Sequence, residues 1–252
     1  MRRVYAIGDV HGRLDLFADL VALIREDHAA RGPCATRLIL LGDLVDRGPA
    51  SATLVKWCRT LADGSDRFVV LKGNHEALLV EALHGDVEAM AFWLRVGGRE
   101  TLASWGVPPA VLDREPGRDM IREARRAIGP GTLAWIASLP LMARHDGFVF
   151  VHAGVRPGIG LDQQVEDDLL WIRKPFLDSK ADHGAIVVHG HTIHEGGPDV
   201  RPNRINIDTG AYRTGALTAI GIEAGETWFL STATSAPAER GGRDVASAPV
   251  GT

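Results

Sequence analysis

Cysteine is scarce in this chain of 252 residues: Cys34 and Cys58 are the two it has. Two thiols do not make a disulfide framework, and they read as incidental thiols of a reducing compartment. Long apolar runs are missing as well. None approaches the length that spans a bilayer, and no signal-peptide core stands between Met1-Arg2-Arg3 and the first strand-like run. A cytoplasmic location without a membrane partner is therefore expected. A basic excess is also missing. Lys and Arg number 28 against 32 Asp and Glu, for a net charge of −4. That argues against a nucleic-acid polymer as partner. It does not exclude a small anion, because a local metal site overrides the global sign. The 45% of apolar residues supplies a sizeable core.

Apolar runs alternate with helical patterns in the first part of the chain. Val4–Ile7, Leu38–Leu41 and Phe68–Leu71 read as buried strands. Leu14, Leu16, Phe17, Leu20, Val21, Leu23 and Ile24 recur at helical spacing, and a second helix is expected after Pro49. This alternation predicts parallel strands covered by helices, with sites at the carboxyl ends of the strands. Residues 77–140 read as a helical insertion forming one wall of the site, its aromatics serving the core. Strands are expected again at Phe148–Val151, Ala185–Val188, Arg204–Ile207, Ala216–Ile220 and Thr227–Leu230, the last two as a hairpin. A second sheet packed on the first gives an α/β/β/α sandwich, a catalytic domain over 1–232. From residue 233 the composition predicts a disordered tail.

Five short runs rich in Gly, Asp and His punctuate this pattern: Gly8–Gly12, Gly42–Gly48, Gly73–Glu76, His152–Gly154 and His189–Thr192. Four follow a strand-like run and the last overlaps the end of one. They place Asp9, His11, Asp43, Asn74, His152 and His191 at the ends of neighbouring strands. Mixed nitrogen and oxygen donors without thiolate favour Mn, Fe or Zn. Their number suits two divalent cations that share the attacking hydroxide and clamp phosphoryl oxygens. Asp43 is the natural bridge. Arg47 can hold a phosphate oxygen pair, and Arg173 is the candidate second clamp. His75, if paired with Asp46, stays protonated and gives a proton to the leaving oxygen. His189 reads as a core histidine. Asp208 either orients a ligand or caps the turn before Gly210, and Tyr212 stands as a neighbour of the pocket.

The runs resemble the signature of the phosphoprotein phosphatase family of metallophosphatases, especially its bacterial and phage branch, within the calcineurin-like metallophosphoesterase superfamily. Gly-Asp-Val-His-Gly, Gly-Asp-Leu-Val-Asp-Arg-Gly and Gly-Asn-His-Glu carry the resemblance, with His-Ala-Gly at 152, Trp-Ile-Arg at 171 and Gly-His-Thr at 190. The resemblance implies Asp9, His11 and Asp43 on one cation and Asp43, Asn74, His152 and His191 on the other, Mn2+ being the first choice. It implies the Asp46–His75 acid pair and phosphate contacts from Arg47 and Arg173. Ile193-His194-Glu195 departs from the family pattern, and His194 is left out of the ligand set.

The activity this implies is a metal-dependent phosphomonoesterase, a serine/threonine protein phosphatase with phosphotyrosine as a further substrate, whose partner is a phosphorylated protein or peptide. The alternative is a symmetrical hydrolase of dinucleoside polyphosphates such as diadenosine tetraphosphate. Asp46 favours the first, because the dinucleotide-cleaving relatives resemble Val-Ala-Arg-Gly there. A catalytically dead phosphate-binding module is the third reading, opposed by retention of every ligand and of His75.

Overall fold

The structure is a computed structural model that describes residues 2–233. Its strands are β1 (Arg2–Ile7), β2 (Ala35–Leu40), β3 (Phe68–Val70), β4 (Met142–His145), β5 (Phe148–Val151), β6 (Ile186–His189), β7 (Asp199–Val200), β8 (Arg204–Asn206), β9 (Thr218–Glu223) and β10 (Glu226–Ser231). Its helices are α1 (Leu14–Ala30), α2 (Ser51–Gly64), α3 (Asn74–Leu83), α4 (Val87–Trp93), α5 (Arg99–Ser104), α6 (Pro109–Leu112), α7 (Arg118–Ile128), α8 (Pro130–Ala137), α9 (Glu166–Trp171), α10 (Lys174–Leu177) and α11 (Ala211–Thr214). A π-turn, Leu94–Gly98, joins α4 to α5.

The strands form two five-stranded sheets, ordered β10-β9-β1-β2-β3 and β4-β5-β6-β8-β7. β1, β2 and β3 run parallel, with Tyr5 opposite Leu38 and Leu38 opposite Phe68. β5, β6 and β8 are parallel too, with Phe150 opposite Val188 and Val188 opposite Ile205. Antiparallel strands finish the edges, including the expected β9–β10 hairpin.

Side-chain alternation along each strand sorts these runs into layers. Val4, Ala6 and Ile39 point between the sheets and meet Phe148, Phe150, Val188 and Ile205. Tyr5, Ile7 and Leu40 point the other way, under Phe17, Leu20, Leu54 and Val55 of α1 and α2. Val149, Val151 and Val187 face outward from the second sheet against Leu169 and Phe176. The result is the α/β/β/α sandwich. Both faces of each central strand are covered, which is why they read as unbroken apolar runs. β4 and β7 escaped the sequence reading because both are short edge strands without such a run.

One apolar cluster runs from Tyr5 and Ile7 through α3 and on to Trp93, Leu102, Met120 and Ile136, so the helical stretch packs on the first sheet. Among the described residues no helix is long and apolar enough to cross a membrane. The expected tail falls, apart from Ala233, outside the described residues.

Candidate metal centre

The carboxyl ends of the parallel strands from both sheets converge on one pocket. Asp9 follows β1, Asp43 follows β2, Asn74 opens α3 just after β3, His152 follows β5 and His191 follows β6. All five are buried, as is His11. The turns that carry them are bent into unusual shapes. Among the described residues, His11, Asp43, Asp46, Arg47 and His191 are five of the seven non-glycine residues with positive φ. Such conformations cost about 1–3 kcal/mol each and persist where surrounding structure imposes them. Here they turn donor atoms inward.

Hydrogen bonds fix the imidazoles. His11 Nδ1 lies 2.8 Å from the Val45 carbonyl and His152 Nδ1 3.0 Å from the Leu41 carbonyl. A carbonyl accepts only, so each Nδ1 carries the hydrogen and each Nε2 presents a lone pair to the pocket. Burial, foremost, holds His11 down to about 3 and His191 down to about 2, and it also lowers His152. All three are therefore neutral at pH 7, as metal-binding imidazoles must be.

These atoms fit divalent cations. Asn74 Oδ1 sits 2.7 Å from His152 Nε2 and 2.9 Å from His191 Nδ1. Neutral His152 has no Nε2 hydrogen to offer, so acceptor faces acceptor, a conflict that a cation between them resolves. Asp9 Oδ1 and His191 Nε2 are buried with no hydrogen-bond partner. Ligand atoms of His11, Asp43 and His75 lie within 4.8 Å of one another, and so do those of Asp9, Asp43 and His152. Asp43 belongs to both groups, although the first includes His75, which the sequence keeps out of the ligand set, and the second joins Asp9 to His152, which the resemblance assigns to different cations. The electrostatics agree. Burial first, then repulsion from neighbouring carboxylates, raises Asp9, pushes Glu76 up to about 7 and Asp208 up to about 6. Crowded buried anions of this kind are stabilised by cations.

Close backbone approach depends on glycine at two places. A Cβ at Gly190 would collide with Asp9 Oδ1, and a Cβ at Gly73 with Asp43 Oδ1. Glu76, quoted in its motif but given no role from sequence, ties the turns together. Its buried carboxylate accepts the N–H groups of Gly73 and Asp43 at 2.8 Å, Leu44 at 2.9 Å and Val45 at 3.2 Å. Four convergent backbone donors leave no signal in a single sequence.

Asp46 and His75 do pair, with Nδ1 donating to Oδ2 over 2.6 Å. Burial pulls His75 down, but Asp43 and Asp46 outweigh it and leave it raised. Arg47 is in the pocket, in a more specific posture than expected. Nη1 donates to His11 Nε2 at 2.8 Å and Nη2 to His75 Nε2 at 2.9 Å. Arg173 is exposed, and close enough for its charge to lower His152 and His191 further. Of the nearby acidic residues, Asp168 pairs with Arg156 and Glu166 with Lys72 at 3.1 Å. Aromatic rings flank the centre. Tyr212 stands 5.2 Å from the His11 ring, and the half-exposed Trp171 6.1 Å from the His191 ring.

Three residues outside the ligand set resolve as follows. His189 is a core histidine, its Nδ1 3.1 Å from the Gly190 carbonyl and its ring against Phe176. Asp208 caps its turn by accepting from Gly210 N at 2.9 Å. His194 is exposed, with Nδ1 2.7 Å from the Gly197 carbonyl.

Comparison with known proteins finds relatives in sequence and in fold. A symmetrical bis(5'-nucleosyl)-tetraphosphatase of Aromatoleum aromaticum is 33% identical over 155 residues, 62% of this chain and 45% of that protein. Its counterpart in Methylobacillus flagellatus is 30% identical over 168 residues, 64% of this chain and 49% of that protein. The chain thus spans about half the length of the curated relatives it matches. Two solved structures share the fold: a provisionally assigned diadenosine tetraphosphatase (TM-score 0.62, 20% identity, 91% of this chain and 93% of that one) and a serine/threonine phosphatase from Saccharomyces cerevisiae (TM-score 0.52, 15% identity, 93% and 81%). At such identities they speak for the fold alone.

The curated relatives are named for dinucleoside tetraphosphates, which overturns the expected phosphorylated protein or peptide partner. Asp46, whose Val-Asp-Arg-Gly context favoured the protein phosphatase, is fully buried and bonded to His75. The model of the calcineurin-like phosphoesterases matches residues 2–215, and with this pocket at its strand ends the chain belongs to that family of metal-dependent phosphoesterases.

Proposed function

We propose that this protein hydrolyses dinucleoside tetraphosphates symmetrically, releasing two nucleoside diphosphates. The likeness to the two tetraphosphatases over more than 150 residues carries this reading. The pocket supports it: two aromatic rings border the centre, and flat apolar faces suit nucleobases.

In this reading Asp9, His11, Asp43, Asn74, His152 and His191 hold two divalent cations, with Asp43 shared. Mn2+ suits the mixed nitrogen and oxygen donors, with Fe and Zn as substitutes. When bound, the cations supply charge neutralisation at phosphorus and a more acidic water. The chain's own residues do the rest. Arg47 and Arg173 hold non-bridging phosphate oxygens. Arg47 leaves His11 and His75 to do so, which frees both Nε2 atoms. His75, held by Asp46, then carries a proton at Nε2 and delivers it to the bridging oxygen that departs. One P–O bond forms to water, whose released proton passes to solvent, and one bridging P–O bond breaks, the His75 proton leaving with that nucleoside diphosphate and being replaced from solvent.

The test is turnover of diadenosine tetraphosphate by the full chain with Mn2+, with products separated by chromatography. ADP alone is expected. AMP with ATP, or no turnover of the dinucleotide while p-nitrophenyl phosphate is cleaved, would overturn the proposed specificity.

A further inference from the structure

The helical stretch between α3 and β4 sends two polar side chains down onto Asp46. Trp93 ends α4 and is fully buried. Its Nε1–H donates to Asp46 Oδ2 at 2.9 Å and reaches Oδ1 at 3.1 Å. Thr101, on α5 and also fully buried, donates from Oγ1 to Asp46 Oδ1 at 2.6 Å. The same hydroxyl accepts the backbone N–H of Asp46 at 2.7 Å. Asp46 therefore has both carboxylate oxygens and its own N–H tied, while its backbone is held at φ 74.

The π-turn between the two helices completes the fit. Its Gly97 carbonyl accepts the N–H of Arg47 at 3.2 Å. Gly97 lies at φ 127, and a Cβ there would come within 2.8 Å of Arg47 N and Cγ. Gly98 gives room to the Trp93 ring in the same way. A buried indole needs only some acceptor for its N–H. Here the acceptor is the carboxylate that holds His75, and a threonine on the next helix shares it.

We propose that Trp93 and Thr101 are positioning residues for His75, so that the α4–π-turn–α5 segment sets where the leaving oxygen receives its proton. A carboxylate with one partner can rotate, and the imidazole bonded to it follows. A carboxylate with three donors cannot rotate without breaking bonds in a dry site. This inference rests on His75 acting as the acid.

The test compares two leaving groups on the Mn2+-loaded full chain. Phenyl phosphate needs a proton on its departing oxygen, whereas nitrophenolate leaves p-nitrophenyl phosphate without one. Thr101→Val is expected to lower kcat on phenyl phosphate by roughly tenfold, with KM within about twofold and p-nitrophenyl phosphate nearly unaffected. Thr101→Ser, which keeps the hydroxyl, restores the rate. In metal-free protein labelled with 15N, the His75 Nδ1–H resonance should move in Thr101→Val and return in Thr101→Ser. If Thr101→Val does not fold, Trp93→Phe, which removes the N–H and keeps a ring, decides the same comparison. Equal losses on both substrates, or an unmoved resonance, would overturn the positioning role. His75→Ala serves as the reference. Should it slow both substrates equally, the acid assignment fails; should it discriminate while Thr101→Val does not, only the positioning role fails.

Discussion

Gly190→Ala perturbs the centre with one methyl group and no change of charge. Gly190 does not have positive φ, so alanine suits its backbone. The cost is steric alone: the new Cβ lands on Asp9 Oδ1. Asp9 cannot simply step aside, because Oδ2 accepts the N–H of His191 at 3.0 Å. Forcing a methyl group into such a site costs about 1–3 kcal/mol. For a chain of this size each kcal/mol lowers Tm by roughly 2–4 °C, so a drop of about 2–12 °C is expected. The cation held by Asp9 and His11 should bind roughly tenfold or more weakly, the scale seen when the setting of a ligand is disturbed. The cation held by Asn74, His152 and His191 should bind as before. Calorimetric titration with Mn2+ measures both steps. Gly64→Ala is the control, because no atom lies near its Cβ. Two unaltered binding steps in Gly190→Ala would refute the placement of Asp9 as a ligand.

Four further outcomes follow from the geometry. His75→Ala should keep both cations, measured by elemental analysis, and lose about 10²–10⁴ in turnover. Trp171→Ala should raise KM for diadenosine tetraphosphate by roughly tenfold while leaving KM for p-nitrophenyl phosphate alone, as expected of a stacking face worth about 1–3 kcal/mol. Cation affinity should fall as pH drops through about 7 to 6, where Glu76 and then Asp208 take up protons, with Asp9, also raised, adding to the fall. The sign follows from their raised values: below them the carboxyls are neutral and attract the cations less. His11 and His191, held at about 3 and about 2, contribute nothing to that slope. Titration of Asp208→Asn between pH 5 and 8 should show a flatter dependence. Glu76→Ala should destabilise the chain by several kcal/mol, at about 1–3 kcal/mol for each buried N–H left unsatisfied. Chemical denaturation reads that loss.

The sequence makes the centre legible because its donors sit in short runs directly behind unbroken apolar strands. Those runs locate Asp9, Asp43, His152 and His191 before any coordinate is known, since strand ends in parallel sheets gather on one edge. Layer assignment is legible for the same reason, as Val4 and Ala6 against Tyr5 and Ile7 show. What the sequence hides is long-range polar partnership. Glu76 bonds backbone more than 30 positions away, and Thr101 bonds a residue 55 positions away. Neither pairing has a spacing rule. Trp93 reads correctly as core by its ring, yet the function of its N–H depends on which carboxylate it meets. Asp46 shows the opposite failure: its motif context favoured a protein phosphatase, whereas the relatives are named for dinucleoside tetraphosphates.

The paired-cation centre is tested most directly by electron paramagnetic resonance of the full chain titrated with Mn2+. Two equivalents should bind and give a spin-coupled signal, as the proposed sharing of Asp43 between the cations requires, and Asp43→Asn should abolish the coupling. A single uncoupled Mn2+ at saturation, or none, would contradict the account.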